Sequence, residues 1–378
     1  MSTLSRCVRI GAVVVCVTLA VAAASARADV DTRRAQLAYQ TLQRVYFDPR
    51  SGDYRLTPGA PAGSHAWPFS QALAATIAFA QLRGVGSAAA RTVVARLRQL
   101  DRRFGAHGVY RAAPGADVYW DDNEWIAEDL LDWDAFRDSP ASRRKAARIF
   151  AALTEAWDDD PQKPCPGGVQ WTAAPGNGDR NTVSTANGAI VGLRLYLLTH
   201  DSTYLAWAER MIAWVEQCLH GPDGLYWDHV GGRGVVDRTE WSYNQGSMLE
   251  AYQLLYAATG DPSDLARAES IADATLAAFR GRWATEPPAF AAIFFRRLLQ
   301  LAAVAGRADY VAAARRYAAH LWQAPRGQLF AQAALVQLYA RLALTGAAPA
   351  QQAAAPAPAG PLRAGSAGSS STAPPSGR

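Results

Sequence analysis

Twelve segments of helical apolar periodicity, joined by connections that alternate between very short and long, constrain this chain more than any other feature. The segments span 31–46, 67–83, 87–101, 122–136, 140–157, 183–199, 202–219, 244–258, 261–282, 289–304, 307–324 and 327–345. Each sets apolar residues three and four apart on an Ala- and Leu-rich background, as a helix with a buried face requires. Val191, Leu195 and Leu198 carry the pattern, as do Leu249, Tyr252 and Tyr256. No segment has the β-branched alternation of a sheet strand. Short joints recur as a helix stop followed at once by a start: His200-Asp201, Gly260-Asp261-Pro262 and Gly306-Arg307-Ala308-Asp309. Between them lie the long connections 47–66, 102–121, 158–182 and 220–243. A helix pair every roughly forty to sixty residues marks a helical repeat array. Six pairs predict an all-α fold, an (α/α)6 barrel or toroid with an inner and an outer helix ring. The long loops then all precede inner helices and gather on one face, and loops of this length in a compact domain are usually functional.

The flanks divide the chain into three parts. Arg6 and Arg9, the apolar run Ile10 to Ala24, and Ala26-Arg27-Ala28 read as a secretory signal peptide over 1–28, cut after Ala28. The helical domain covers 29–345. Residues 346–378 are Ala, Pro, Gly and Ser with almost no large apolar side chain, a composition that predicts disorder. The formal charge of +5 comes from these flanks. Removing Arg6, Arg9, Arg27, Arg363 and Arg378 from the 38 basic residues leaves 33, against 33 acidic residues. A neutral domain gives no electrostatic rationale for nucleic acid or an anionic membrane as partner. No later run of about 18 uncharged apolar residues predicts a membrane span. Once the signal is removed, Cys165 and Cys218 are the remaining cysteines. A disulfide and two separate thiols are both compatible with the sequence. The scattered histidines form no metal signature, so neither a metal nor a cofactor is expected. A released protein is expected, extracellular or periplasmic, and a monomer is the simplest state.

Chemistry concentrates in Tyr119-Trp120-Asp121-Asp122-Asn123-Glu124-Trp125, where a long loop turns into an apolar helix. Retaining cleavage of a glycosidic bond uses one carboxylate to attack the anomeric carbon and one carboxylic acid to protonate the leaving oxygen, about 5 to 5.5 Å apart. Asp also caps helices, and Glu124 three residues after Asp121 has capping-box spacing. The two readings are compatible, because a cap also fixes a carboxylate in place. Asn181-Thr182-Val183-Ser184, Tyr226-Trp227-Asp228 and Trp241-Ser242-Tyr243-Asn244-Gln245-Gly246 fall at the same face of the predicted toroid. So do Trp67, Trp120, Trp171, Trp227 and Trp241, whose flat faces suit the apolar faces of sugar rings.

These motifs together resemble those of the secreted endo-α-1,6-mannanases of glycoside hydrolase family 76. The resemblance runs through Tyr119-Trp-Asp-Asp-Asn-x-Trp125, the stretch Leu195 to Ala208, Asp223-Gly224-Leu225-Tyr226-x-Asp228 and Trp241-x-Tyr243-Asn244-Gln245-Gly246. A weaker match lies at Phe290-x-x-Ile293-Phe294-x-Arg296, and coverage extends from about Asp29 to Leu344. It implies an (α/α)6 barrel, Asp121 as nucleophile, Asp122 as acid/base, and mannose hydroxyls bound by Asp228, Tyr243, Asn244 and Gln245. Trp120, Trp125, Asn181 and Trp241 complete the candidate substrate-binding set, and the implied partner is α-1,6-mannan. Glu124 departs from the family pattern, which commonly has a small residue there, and is expected to cap the helix. Alternatives are a mannan transglycosylase using the same site, a glycan-binding toroid without turnover, and an enzyme of unsaturated uronides. The neutral rim argues against the last, whose substrate is anionic.

Overall fold

The computed structural model describes residues 26–324 and 327–352, so most of the expected signal peptide and of the tail lies outside the described residues. Helix α1 covers 26–41 and ends in a π-turn, Leu42–Tyr46. There follow α2 (Ala66–Ala80), α3 (Gly86–Phe104), α4 (Trp120–Arg137), α5 (Pro140–Glu155), α6 (Thr182–Thr199) and α7 (Ser202–Leu219). The chain continues through α8 (Ser242–Thr259), α9 (Pro262–Ala278), α10 (Pro288–Ala305), α11 (Ala308–Gln323) and α12 (Leu329–Gln352). The last turns of α12 enter the stretch whose composition predicts disorder.

The even-numbered helices form a closed ring, each touching the next from α2 through α12 and back to α2, while α3, α5, α7, α9 and α11 pack outside their partners. This is the (α/α)6 toroid. Burial follows the rings: nearly every side chain of α2 is inaccessible, whereas α5 hides mainly one stripe, Ala146, Ile149, Phe150 and Leu153. Helix α10 is long and apolar enough to cross a membrane by composition alone, but two thirds of it is buried inside the molecule. Its apolarity fills the core.

The short joints work as their sequences predict. His200, Gly260 and Gly306 end their helices in the left-handed conformation, which glycine adopts without steric cost. Asp201 and Asp261 then cap the next helices by accepting from the Thr203 and Ser263 N–H groups.

The long loops differ from expectation in containing strands. Two hairpins, β1 (Phe47–Asp48) with β2 (Asp53–Tyr54) and β3 (Gly105–Ala106) with β4 (Val109–Tyr110), lie in the first two loops. A three-stranded ribbon, β5 (Arg180–Asn181), β6 (His229–Val230) and β7 (Val236–Asp237), joins the third loop to the fourth. Strands of two residues are too short to show alternation in sequence.

The Cys165–Cys218 disulfide pins the third loop to the end of α7 and closes a separation of 53 residues. A loop of that size corresponds to about 4 kcal/mol of lost unfolded-state entropy. Gly167 and Gly168, both at positive φ, lie against Trp214, where an added Cβ would come within 2.6 Å of the ring. Buried Arg180 completes the brace by donating to the Pro164, Cys165 and Gly167 carbonyls.

Candidate active site

All inner helices begin on the loop-bearing face, and their first turns floor a cleft of about 490 Å³. The second residue of five of the six inner helices lines it: Trp67, Asp121, Val183, Tyr243 and Phe330. Asp122, Trp125, Trp171, Phe290 and Ile293 also line it, as do His65 and Tyr119. Trp67 packs on Phe330 and Phe290, with ring centroids 4.5 and 5.9 Å away, and Phe290 meets Tyr243 at 4.3 Å. Among the described residues no Lys or Arg lines the cleft. A larger groove of about 610 Å³ between α9 and α11, floored by Trp283, Phe295 and Tyr317, contains neither paired aspartate. We place the site by its chemistry rather than by size.

Asp121 and Asp122 are the second and third residues of α4, half-buried on the cleft floor, beyond a Tyr119 cap position that has no side-chain cap. Asp121 Oδ2 accepts from Trp171 Nε1 at 3.2 Å and its Oδ1 from the Asp122 N–H at 2.9 Å. Burial raises the Asp121 carboxyl to about 6, against the opposing pull of these bonds. Asp122 is pushed well above the ordinary carboxylate range by burial and then by the charge of Asp121. The asymmetry has a structural cause, because donors hold the charged form of one carboxyl and not of the other. The geometry therefore favours the charge on Asp121 and the proton on Asp122.

The loops are clamped so that this pair stays open. Asn123, the fourth residue of α4, accepts from Tyr110 N–H and donates to the Tyr110 and Tyr119 carbonyls. Gln245, the fourth residue of α8, repeats the device, accepting from Tyr226 N–H and donating to the Tyr226 and Trp241 carbonyls. In α6 the corresponding Thr185 accepts from Val169 N–H. The braced third loop presents the Trp171 carbonyl to the Trp120 N–H at 2.9 Å and its indole to Asp121.

Asp228 enters from the fourth loop. Its Oδ1 accepts from Tyr243 Oη at 3.2 Å and Asn244 Nδ2 at 3.0 Å, and its Oδ2 pairs with His229 Nδ1 at 2.9 Å. That bond raises the His229 pKa. Asp228, His229 and Asp237 bring ligand atoms within 4.8 Å of one another, as a metal site would. Protein donors already hold both acids, since Asp237 accepts from Thr239 N–H.

The structure thus brings Asp121, Asp122, Trp125 and Tyr243 together in the cleft and ties Asp228 to it through Tyr243. The other expected residues lie outside the cleft lining. Gln245 and Asn244 are fully buried: the Gln245 amide is engaged by backbone, and Asn244 reaches Asp228 rather than the cleft. Trp120 packs against the helical core, Asn181 belongs to the loop ribbon, and Trp241 packs edge-on to Phe290. Glu124 is no cap, being completely buried with neither oxygen hydrogen-bonded. Phe330 is the cleft residue that motif spacing missed, while Trp171 and Phe290 belong to stretches singled out in the sequence. Counting two residues into each inner helix finds Phe330, and nothing local in the sequence marks Trp171 as the partner of Asp121.

Comparison with known proteins follows the same line. The family model described as glycosyl hydrolase family 76 matches residues 30–328. Mannan endo-1,6-alpha-mannosidase DCW1 of Candida glabrata is 33% identical over 128 residues, which are 31% of this chain and 27% of that protein. Its Saccharomyces cerevisiae counterpart is 33% identical over 131 residues, 32% of this chain and 28% of that protein. The chain thus aligns with little more than a quarter of the length of these curated relatives. Among solved structures, the family 76 mannosidase Bt3792 from Bacteroides thetaiotaomicron superposes with a TM-score of 0.74 at 22% identity, covering 83% of this chain and 98% of that one. An alpha-1,6-mannanase of Salegentibacter, in an inactive variant with two consecutive aspartates replaced and alpha-1,6-mannotetrose bound, superposes at 0.72 with 20% identity, covering 83% and 99%.

Proposed function

The chain belongs to glycosyl hydrolase family 76, and from that premise we propose that it is a secreted, retaining endo-α-1,6-mannanase with Asp121 and Asp122 as its reacting pair. One observation carries the reading: two adjacent carboxyls on the floor of a neutral, aromatic-walled cleft, with hydrogen bonds favouring charge on one and burial favouring a proton on the other. The mannan-directed names of the curated relatives supply the substrate, and the mannotetrose held by a structural neighbour is a fragment of it. Absence of Lys and Arg from the described cleft lining disfavours an anionic sugar.

The reaction needs no further group. A carboxylate oxygen of Asp121 attacks the anomeric carbon while the bond to the glycosidic oxygen breaks and takes the proton of Asp122. The result is a mannosyl ester of Asp121 and a released chain with a new hydroxyl. Asp122, now ionised, takes a proton from water, whose oxygen attacks the same carbon and frees Asp121. Trp171 holds the nucleophile in orientation, and the N-terminus of α4 favours its charge. Tyr243 is the proposed partner of sugar hydroxyls together with Asp228, which His229 and Asn244 hold in position. The aromatic wall of Trp67, Phe290 and Phe330 offers apolar area for ring faces. The leader-like N-terminus and the Cys165–Cys218 bridge support export to an oxidising compartment.

Reducing ends released from linear α-1,6-mannan by the mature protein, and by Asp121→Asn and Asp122→Asn, provide the test. Full activity in both variants contradicts the mechanism. Chains longer than the substrate, detected by mass spectrometry, would instead identify a transglycosylase.

A further inference from the structure

Glu124 is left unexplained by the reaction just described. It lies three residues after Asp121 and four before Glu128, so helical spacing sets it on the same stripe of α4, between the reacting pair and the barrel interior. It is fully buried, and neither carboxyl oxygen has a hydrogen-bond partner. Space for it is built in: a Cβ at Gly188 of α6 would sit 3.6 Å from Glu124 Oε1 and 3.0 Å from Met211 Sδ.

The surrounding charges are already committed. On α4, Asp121 stands above Glu124 and Glu128 below it. From α10 the cation facing it is Arg297, which is engaged by Glu128 Oε1 at 2.9 Å and by Glu250 of α8 at 2.7 Å. Arg296 also pairs with Glu128, while Arg194 and Arg341 both pair with Asp132 deeper in the barrel. Helix α6 contributes Gly188, with Asn187, whose Oδ1 also accepts from Arg297, and α7 contributes Met211. Among the described residues no cation is free to pair with Glu124, and an unpaired buried carboxylate is among the costliest groups a protein can hold.

We propose that Glu124 keeps a proton in the working enzyme and acts as a positioning residue for the pair above it: a neutral carboxyl there leaves Asp121 free to hold the negative charge that attack requires. Ionised, it would stand one turn beneath Asp121 with no intervening cation, and repulsion would return the proton to the nucleophile. Burial, with the neighbouring Asp121 and Glu128 charges, acts in the same direction on Glu124 itself.

The inference rests on Asp121 and Asp122 being the reacting pair, so one readout is chosen that needs no turnover. Infrared spectra of protein carrying 13C-labelled glutamate, at pH 7, are expected to show a protonated-carboxyl band in the wild type that is missing in Glu124→Gln. The acid limb of kcat/KM is expected to keep its midpoint in Glu124→Gln, with activity at the optimum within about twofold. If that variant folds poorly, the absence of the band from the labelled wild-type protein still overturns the proposal. A wild type without the band, or an acid limb displaced downward by about one pH unit or more in Glu124→Gln, overturns the proposal.

Discussion

Along α4, Asp121 and Asp122 end in the cleft with no cation among the residues that line it, whereas Glu128 and Asp132, two turns and more below, are locked to Arg296, Arg297, Arg194 and Arg341. One helix thus presents acids to two environments. Below the first turn, the arginines of α6, α10 and α12 compensate the carboxylates that hold the inner helices together. In the first turn, the loops supply one indole donor and an aromatic wall, so charge and proton are divided between two neighbours. Burial alone does not separate chemistry from scaffolding here. Pairing does.

The comparison is broken most sharply by exchanging the roles of the two levels. Asp121→Asn and Asp122→Asn are each expected to lower kcat on α-1,6-mannan by about a thousandfold or more, with the thermal midpoint unchanged or higher, as activity and calorimetry on the same samples would show. Arg297→Met should do the reverse. It leaves Glu250 without its buried partner and Glu128 with Arg296 alone, and is expected to cost about 3–5 kcal/mol in urea unfolding. A large stability loss in the aspartate variants, or none in Arg297→Met, would erase the distinction.

Smaller effects sharpen it. Trp171→Phe removes the side-chain donor that favours the charged form of Asp121, so kcat/KM should fall about tenfold and its acid limb should move to higher pH. In the wild type that limb has its expected midpoint near 6, because activity requires Asp121 ionised and is lost as pH falls through the pair's lower pKa. The smallest effect is on stability. The Glu124 pKa is raised in the folded protein, so both states hold the proton below the unfolded value of 4.5. Above it the unfolded chain alone releases the proton, and this contribution to stability falls as pH rises. The thermal midpoint of Glu124→Gln relative to wild type should therefore climb from pH 4 to pH 7; a flat difference would remove Glu124 from the set of unpaired acids.

Much of the scaffold is legible because it depends on local rules. Periodicity locates α7 at Ser202–Leu219 and the other helices close to their observed limits, and His200, Gly260 and Gly306 punctuate the turns. The paired aspartates stand out through the motif around them, since acids at a helix start alone are ordinary capping residues. The rest is three-dimensional. Gln245 carries the same side-chain chemistry whether it binds sugar or clamps Tyr226, and only the folded loop reveals the clamp. Glu124 has capping-box spacing, yet Tyr119 occupies the cap position and turns Glu124 into the barrel. Trp171 lies 50 residues from Asp121, and a disulfide, a buried arginine and two glycines hold the loop that delivers it.

The division of roles between Asp121 and Asp122 fixes the stereochemistry of the product, and proton NMR of the first sugar released from an α-1,6-mannooligosaccharide reads it before mutarotation. The account predicts an α-anomer at the new reducing end, the signature of two successive displacements through a mannosyl-Asp121 ester. A β-anomer formed first would mean direct attack by water and would contradict it.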